Sequence, residues 1–429
     1  MNRPWLKHYE AHVPHSLTYP KIPIQRFLAD TVDRHPDHVA ITFNELHLTY
    51  RELNERVNRF AQALLKLGVE KGDRIAFLLV NSPTYVFAFF AVMKLGAVVV
   101  NLNVGIQGEE LARCLKDSGA KAVVTLDLFA QGVYAVIRKT GVKTVILHSV
   151  FGLEKTLSLE QGVPQPLVFQ DLLASAGTAE EPAVPVLPGD VAVLQYTSGS
   201  TGSPKPALLC HESILIQNIG LAVGFELGIA DRMLINLPPS HVGCTTEQLG
   251  TTVYGGGVAV ILHIFDPKLS LEAIQKHRVS VLGQIPALFN MEWRLPEYKT
   301  YDLSTLRFAL YGGQAVSREF LVRMKEMAPR IGTGLGLTET AGFCTYTNVD
   351  AGVDERLHRS RRIVERLGSE QVAHEHGAQM MPGRHVQAVL RRPGQIEAHE
   401  GHNPGVGFFR CRPVAFQLDR GIAHIRRSA

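Results

Sequence analysis

Apolar and polar positions alternate along the first 347 residues with two periods, one helical and one extended. Thr49 and Glu52 form a capping box, and Leu53, Val57, Phe60, Ala61, Leu64 and Leu65 then fall on one face of a helix that ends at Gly68. The run RIAFLLV (Arg74–Val80) has the character of a buried strand. A helix from about Pro83 to Leu95, halted by Gly96, is followed by a strand at Ala97–Asn101, a helix in EELARCLKDSG and a strand at Lys121–Thr125. Further strands are expected at Lys143–His148, Val191–Leu194, Met233–Asn236, Val258–Leu262 and Leu306–Tyr311. This alternation predicts βαβ units and parallel sheets covered on both faces. Ser175–Pro188, rich in Pro, Gly, Ala and Glu, reads as a surface linker between subdomains. No internal repeat is visible.

The most membrane-like segment, Tyr85 to Leu102, is broken by Lys94 and Gly96, so it reads as a buried helix and a strand and no membrane span is expected. A chain of 429 residues, 45% hydrophobic, has material for two or three packed units. Its five cysteines (Cys114, Cys210, Cys244, Cys344, Cys411) are scattered, odd in number and without CxxC spacing, so neither a disulfide frame nor a zinc knuckle is indicated. With an N-terminus lacking the apolar core of a signal peptide, a reducing, cytoplasmic location is expected. Residues 1–347 hold 31 Lys+Arg and 31 Asp+Glu, and residues 348–429 hold 13 and 9. A neutral body carries no basic stripe for nucleic acid.

The stretch LQYTSGSTGSPKPALLCH, Leu194 to His211, sets hydroxyls, glycines and one lysine between two apolar runs. The hydroxyls of Thr197, Ser198, Ser200 and Thr201 sit at a turn, Gly199 and Gly202 permit unusual backbone angles, and Lys205 adds charge. Such a loop is either an anion nest for a polyphosphate or a solvated hairpin loop; composition alone does not choose. It is not a P-loop, whose lysine directly follows a glycine, and no GxSxG elbow is present.

YTSGSTGSPKP resembles the phosphate-loop signature of the adenylate-forming superfamily, which includes acyl- and aryl-CoA synthetases, firefly luciferases and nonribosomal adenylation domains. LTYRELN (Leu48–Asn54), LPPSHVGC (Leu237–Cys244), YGGQAVS (Tyr311–Ser317) and GLGLTETAG (Gly334–Gly342) follow the family's order. The resemblance covers roughly residues 5 to 347 and implies an α/β fold, two parallel α/β subdomains plus a small distorted β-barrel, incomplete here. It implies that a carboxylic acid attacks the α-phosphorus of ATP, releasing pyrophosphate, and that the thiol of coenzyme A then displaces AMP.

By that resemblance Thr197–Lys205 holds the β/γ-phosphates, Thr338 contacts the α-phosphate, and Glu339 holds Mg²⁺. Gly312 and Gly313 let backbone approach the adenine and acyl pocket, with Gln314 beside them, and Leu335 and Gly336 face the adenine. His241 matches a position near the acyl carboxylate; a histidine satisfied inside the core is the competing reading.

Departures from the family pattern carry information. Ser200 keeps a hydroxyl where threonine is usual. Pro206 replaces a glycine, removes one N–H and is expected to disturb the return strand. Leu335 stands where an aromatic stacks on adenine, a loss of ~1 kcal/mol. After Thr347 neither the family's TGD segment nor its lysine-bearing C-terminal domain is visible. Residues 348–429 contain no lysine and no tyrosine, against 15 and 11 earlier, but 13 arginines and seven of the 18 histidines. A shifted reading frame produces such a change. His374, His376, His399 and His402 match no metal-ligand spacing, and the Arg pairs lack a periodic face.

The sequence thus points to an ATP-dependent carboxylate–CoA ligase, for a fatty acid first and an aromatic acid second, with a non-catalytic nucleotide-binding remnant as the alternative of different class. A nonribosomal adenylation domain is disfavoured because no carrier domain follows. Oligomeric state is not legible. If the tail is frame-shifted, the other frames of the coding DNA will encode the TGD segment and the lysine, and limited proteolysis will cut first beyond Thr347. Equal protease resistance throughout, with no such motifs in either frame, contradicts this.

Overall fold

The strands called for by the alternating pattern form and collect into two sheets. The computed structural model describes residues 11–157, 159–197, 205–354, 356, 396–400 and 407–411. After the helix Gln25–Arg34, strands β1 (Val39–Phe43) and β2 (Leu46–Thr49) form a hairpin. Then come β3 (Arg74–Leu78), β4 (Val98–Asn101), β5 (Ala120–Leu126), β6 (Thr144–His148), β7 (Pro166–Val168), β8 (Val191–Thr197) and β9 (Lys205–Cys210). The second half supplies β10 (Arg232–Ile235), β11 (Val258–Ile261), β12 (Val281–Gln284), β13 (Phe308–Tyr311), β14 (Arg330–Leu337) and β15 (Gly342–Tyr346), and the tail adds β16 (Ile396–Glu400) and β17 (Gly407–Cys411).

One sheet has the order β16-β17-β9-β8-β4-β3-β5-β6-β7, the other β15-β14-β13-β12-β10-β11-β1-β2. Both are parallel except at β1–β2, β8–β9, β14–β15 and β16–β17. These antiparallel pairs extend the sheets instead of closing on one another, so the described residues form no barrel, unlike the resemblance's implication. Pro206 does not disturb its strand: it sits in register opposite Tyr196.

Alternate residues of each strand serve different cores. Ile75, Phe77 and Val99 of the first sheet share one cluster with Ile41, Met233 and Ala259 of the second, through the helices Tyr50–Lys66, Pro83–Lys94 and His211–Gly224. Their neighbours Ala76, Val98, Leu234 and Val258 belong to separate outer clusters. A helix layer between two sheets is apolar on all sides, which is why all twelve residues of Pro83–Lys94 are buried and its sequence looked membrane-like. No helix among the described residues is long and apolar enough to cross a membrane. The capping box at Thr49 is formed as expected, with Glu52 Oε2 accepting the Thr49 N–H at 2.8 Å.

Ser175–Pro188, expected between subdomains, joins β7 to β8 within one sheet. It is strapped to the helix Tyr50–Lys66 by donors onto its carbonyls: Asn58 to Ala179 (2.9 Å), Gln62 to Glu180 (3.0 Å) and Lys66 to Ala176 (2.7 Å). Packing also continues past Thr347, since the buried Arg356 guanidinium donates to the carbonyls of Asn348 (2.8 Å) and Ala351 (3.3 Å).

Gly332, Gly334 and Gly336 leave one face of β14 bare. A Cβ would come within 2.7 Å of Phe308 Cζ at Gly332, overlap Thr345 O at Gly334, and meet Gly342 O at 2.8 Å at Gly336. Gly334→Ala is therefore expected to cost at least about 3 kcal/mol in urea unfolding. Gly132→Ala, in the helix Asp127–Val136 with open space around the new Cβ, should stabilise by about 0.5–1 kcal/mol. Equal effects would contradict the packing described.

Candidate functional site

In the first sheet β3 lies between β4 and β5; in the second β10 lies between β11 and β12. Strand order reverses at these two positions, which opens a crevice beyond the C-terminal end of each strand. The loops after the two strands are joined. Asn81, after β3, donates to Leu237 O at 2.7 Å and accepts from Cys244 Sγ at 3.2 Å. Gln195 of β8 donates to Ser240 O and accepts from Asn101 Nδ2 at 3.3 Å, and the Tyr85 hydroxyl donates to Asn101 Oδ1 at 3.1 Å. LPPSHVGC is thereby held against the first sheet.

His241 lies in this loop, solvent-accessible yet densely surrounded, as expected of a residue on a concave wall. Burial lowers its pKa below the usual histidine value, so the ring is neutral at physiological pH. Its Nδ1 accepts the Gly243 N–H at 2.9 Å, which leaves the proton on Nε2 as a donor. The residue as a whole is solvent-exposed, which fits a histidine on a cleft wall better than one satisfied inside the core.

A π-helical segment, Gly243–Gly250, follows and carries Glu247. Glu247 Oε1 accepts the Phe343 N–H at 2.8 Å, and Thr246 Oγ1 donates to Ala341 O at 2.5 Å. From the other side the Gln217 carboxamide, turned so that its nitrogen faces Phe343 O, donates to that carbonyl (2.8 Å) and accepts from the Phe343 N–H (2.9 Å). Burial pushes the Glu247 carboxyl up to about 7, the Phe343 N–H opposing.

Phe343 connects the remaining segments. Its ring lies against the bare backbone of Gly312 and Gly334, at 3.0 and 2.6 Å from where their Cβ atoms would be. Gly313, with φ +89°, and the exposed Gln314 follow β13, beside the half-exposed Ile285. Leu335, partly accessible, and Gly336, exposed, lie on β14 beyond its parallel pairing with β13, and Thr338 and Glu339 form the turn Thr338–Thr340 at its end, both partly accessible.

That turn packs against β9. Thr197 and Lys205 are opposite each other at the open end of the β8–β9 hairpin, where Thr197 Oγ1 donates to Lys205 O at 3.2 Å. Ser198, Gly199, Ser200, Thr201 and Gly202 lie outside the described residues. The structure thus brings the stem of the predicted phosphate loop next to Thr338 and Glu339, and sets Phe343 between Glu247, six residues after His241, and the bare backbone of Gly312 and Gly334.

Sequence reasoning missed the polar groups that support these loops. A buried chain runs from Gln248 Nε2 to Asn236 Oδ1 (3.0 Å), Asn236 Nδ2 to Gln284 Oε1 (2.6 Å) and Gln284 Nε2 to Glu292 Oε2 (2.8 Å), with Ser270 donating to Glu292 Oε1 (2.5 Å). It ties the ends of β10 and β12 together. The signal was a lone amide or acid inside an apolar run, as in MLIN, VLGQIPALF and ILIQNIGLAV, because such a group must find partners.

Glu339 and Thr338 offer hard oxygen ligands, and no group of three or more His, Cys, Asp or Glu able to hold a metal occurs among the described residues. One carboxylate plus a hydroxyl suits a cation that brings phosphate and water ligands of its own, as Mg²⁺ does.

The sequence pattern described as AMP-binding enzyme matches residues 28–368. A feruloyl-CoA synthase from an Amycolatopsis species is 29% identical over 91% of this chain and 75% of that protein. A long-chain-fatty-acid–CoA ligase of Bacillus subtilis is 26% identical over 95% of this chain and 79% of its own length. The inhibitor-bound N-terminal domain of FACL13 from Mycobacterium tuberculosis superposes with a TM-score of 0.68 at 26% identity, covering 80% of this chain and 82% of that one. An anthranilate CoA ligase, AuaEII, in complex with anthranoyl-AMP gives 0.70 at 20% identity over 77% and 62%, a likeness of fold.

Glu292 is fully buried, and burial pushes its carboxyl up to about 7 from an ordinary 4.5. The folded state holds that proton more tightly than the unfolded state, so this stability is complete below about 4.5 and is lost as pH rises through about 7. Glu292→Gln can keep both bonds, because the Ser270 hydroxyl can accept as well as donate. It should raise unfolding free energy by on the order of 1–3 kcal/mol at pH 8 and hardly at all near pH 4.5. The same change at both pH values would contradict the assignment.

Proposed function

The chain belongs to the AMP-binding enzyme family, and on that premise we propose that it is an ATP-dependent carboxylate–CoA ligase that activates a fatty acid as its acyl-adenylate. The observation that carries this reading is the meeting of the Thr197–Lys205 hairpin stem, the Thr338–Glu339 turn, Gly312–Gln314 and the His241 loop at the C-terminal ends of both sheets.

In this reading a carboxylate oxygen of the acid attacks the α-phosphorus of ATP, and the bond to the bridging oxygen breaks to release pyrophosphate. The thiol sulfur of coenzyme A then attacks the acyl carbon, and AMP leaves. Both steps depend mainly on positioning and charge stabilisation. Lys205 and the loop it closes hold the β- and γ-phosphates and then the leaving pyrophosphate. The Thr338 hydroxyl donates to the α-phosphate. The neutral His241 ring directs its Nε2–H toward the acid's carboxylate without adding a competing charge. Glu339 holds Mg²⁺, which when bound neutralises charge developing on the phosphates. Leu335 packs on adenine without aromatic stacking, which weakens nucleotide binding.

The relatives include both a feruloyl-CoA synthase and a fatty-acid ligase at similar identity, so an aromatic acid is the second substrate class. We place the protein in the cytoplasm and read its turnover as impaired, since residues 348–429 hold no lysine that could enter the adenylation step.

Titration calorimetry should show ATP binding that strengthens with Mg²⁺, and Glu339→Ala should remove the Mg²⁺ dependence. No heat up to millimolar ATP from folded protein would contradict the proposal. Thioester formation from alkanoate and hydroxycinnamate panels should lie a hundredfold or more below a typical ~10 per second. Ordinary turnover would show that residues after Thr347 supply the missing role, and preference for either panel assigns the acid.

A further inference from the structure

The carbonyl of Ser240, in the peptide that enters His241, ends a one-way chain of donors. Gln195 Nε2 donates to it, Asn101 Nδ2 donates to Gln195 Oε1 at 3.3 Å, and the Tyr85 hydroxyl donates to Asn101 Oδ1 at 3.1 Å. Asn101 and Gln195 stand in register on the neighbouring strands β4 and β8, and Tyr85 lies on the helix Pro83–Lys94. All three side chains are buried. A carbonyl only accepts, so Gln195 must turn its nitrogen to Ser240 and its oxygen to Asn101. Asn101 must then turn its nitrogen to Gln195 and its oxygen to Tyr85. Tyr85, the one member able either to donate or to accept, is left with donation, and burial raises its pKa so that the proton stays.

We propose that Tyr85 and Asn101 are positioning residues for His241: by fixing the polarity of the chain that ends on Ser240 O, they aim the His241 Nε2–H at the substrate's carboxylate. This rests on the ligase reading above and deepens it. The His241 N–H donates to Pro238 O at 3.0 Å, its carbonyl accepts the Cys244 N–H at 3.1 Å, and its Nδ1 accepts the Gly243 N–H at 2.9 Å. Those bonds are internal to the loop and orient the ring only relative to it. Ser240 O is where this turn is fixed to the first sheet, whereas Asn81 holds the loop's beginning at Leu237. One register step earlier the same two strands pair Val100 with Leu194, so an apolar pair is compatible with the packing there. Two buried amides are costly unless every group is bonded, and here the bonds close only through a loop of the other sheet. A donor displaced from its productive place loses much of its effect on the reacting group.

The test uses the full chain and titration calorimetry with ATP plus Mg²⁺ and with the hexanoyl and cinnamoyl 5′-O-(N-acylsulfamoyl)adenosines, acyl-adenylate mimics that bind without turnover; the tighter of the two is carried forward. Tyr85→Phe removes only the terminal donor. It should weaken the mimic about tenfold and ATP by less than about twofold. Gln195→Met removes the last donor and should weaken the mimic at least as much. Tyr134→Phe deletes another buried tyrosine bond, 3.0 Å to Pro164 O in an outer cluster, and should lower unfolding free energy without moving either affinity. In a His241→Ala background, Tyr85→Phe should have no further effect on the mimic, because its action runs through that ring. If Tyr85→Phe costs as much in that background as in wild type, or weakens the mimic no more than Tyr134→Phe does, the inference is overturned while the ligase reading stands. If wild type binds neither mimic, the ligase reading fails and this inference with it.

Discussion

The switch-point loops after β3 and β10 are tied face to face by the hydrogen bond from Asn81 to Leu237 O, and the loop after β10 is held to the first sheet a second time by Gln195 of β8 through Ser240 O. The rest of the site depends on that junction. Each sheet taken alone would offer a crevice at the ends of β3 or β10; joined, they place the hairpin stem Thr197–Lys205 on one side and the segments after β10, β12, β13 and β14 on the other. Both amides are buried, and each would be costly without its partner, which gives the junction a unique geometry.

A second constraint sets how closely the segments after β13 and β14 approach. Phe343 can lie across Gly312 and Gly334 only because those residues carry no side chain. Phe343 is fixed in turn by Glu247 and Gln217 at its backbone, while Thr246 secures the carbonyl of Ala341. Ala341 has a positive φ of 61° and Gly342 one of 131°, so the chain reverses there in a conformation that costs about 1–3 kcal/mol for a non-glycine residue. The clamp from the π-helical segment and the helix His211–Gly224 offsets that strain.

Much of this was legible in the sequence. Strands such as Arg74–Leu78 and Val258–Ile261 declared themselves as short apolar runs, and Thr49 with Glu52 marked a helix start that is formed as written. Among the strands missed were Val281–Gln284 and Arg330–Leu337: the first ends in a buried amide, and the second is interrupted by glycines that its packing requires. Helix His211–Gly224 is buried all round and so shows no apolar stripe. At the candidate site, Thr338, Glu339 and His241 were singled out by their motifs, whereas Glu247, Gln217 and Asn81 were not. Their roles come from which backbone groups lie opposite them, and no local pattern encodes a partner tens of residues away. The linker was recognised by composition but not its strap, because the donors Asn58, Gln62 and Lys66 read only as the polar face of another helix.

The most direct test of the joined switch-point site is a crystal structure of the full chain soaked with ATP and Mg²⁺. Density for the triphosphate between the Thr197–Lys205 hairpin and the Thr338–Glu339 turn, with adenine against Leu335 and Gly313, is the result expected. A nucleotide bound elsewhere, with the C-terminal ends of β8 and β14 uninvolved, would contradict the account.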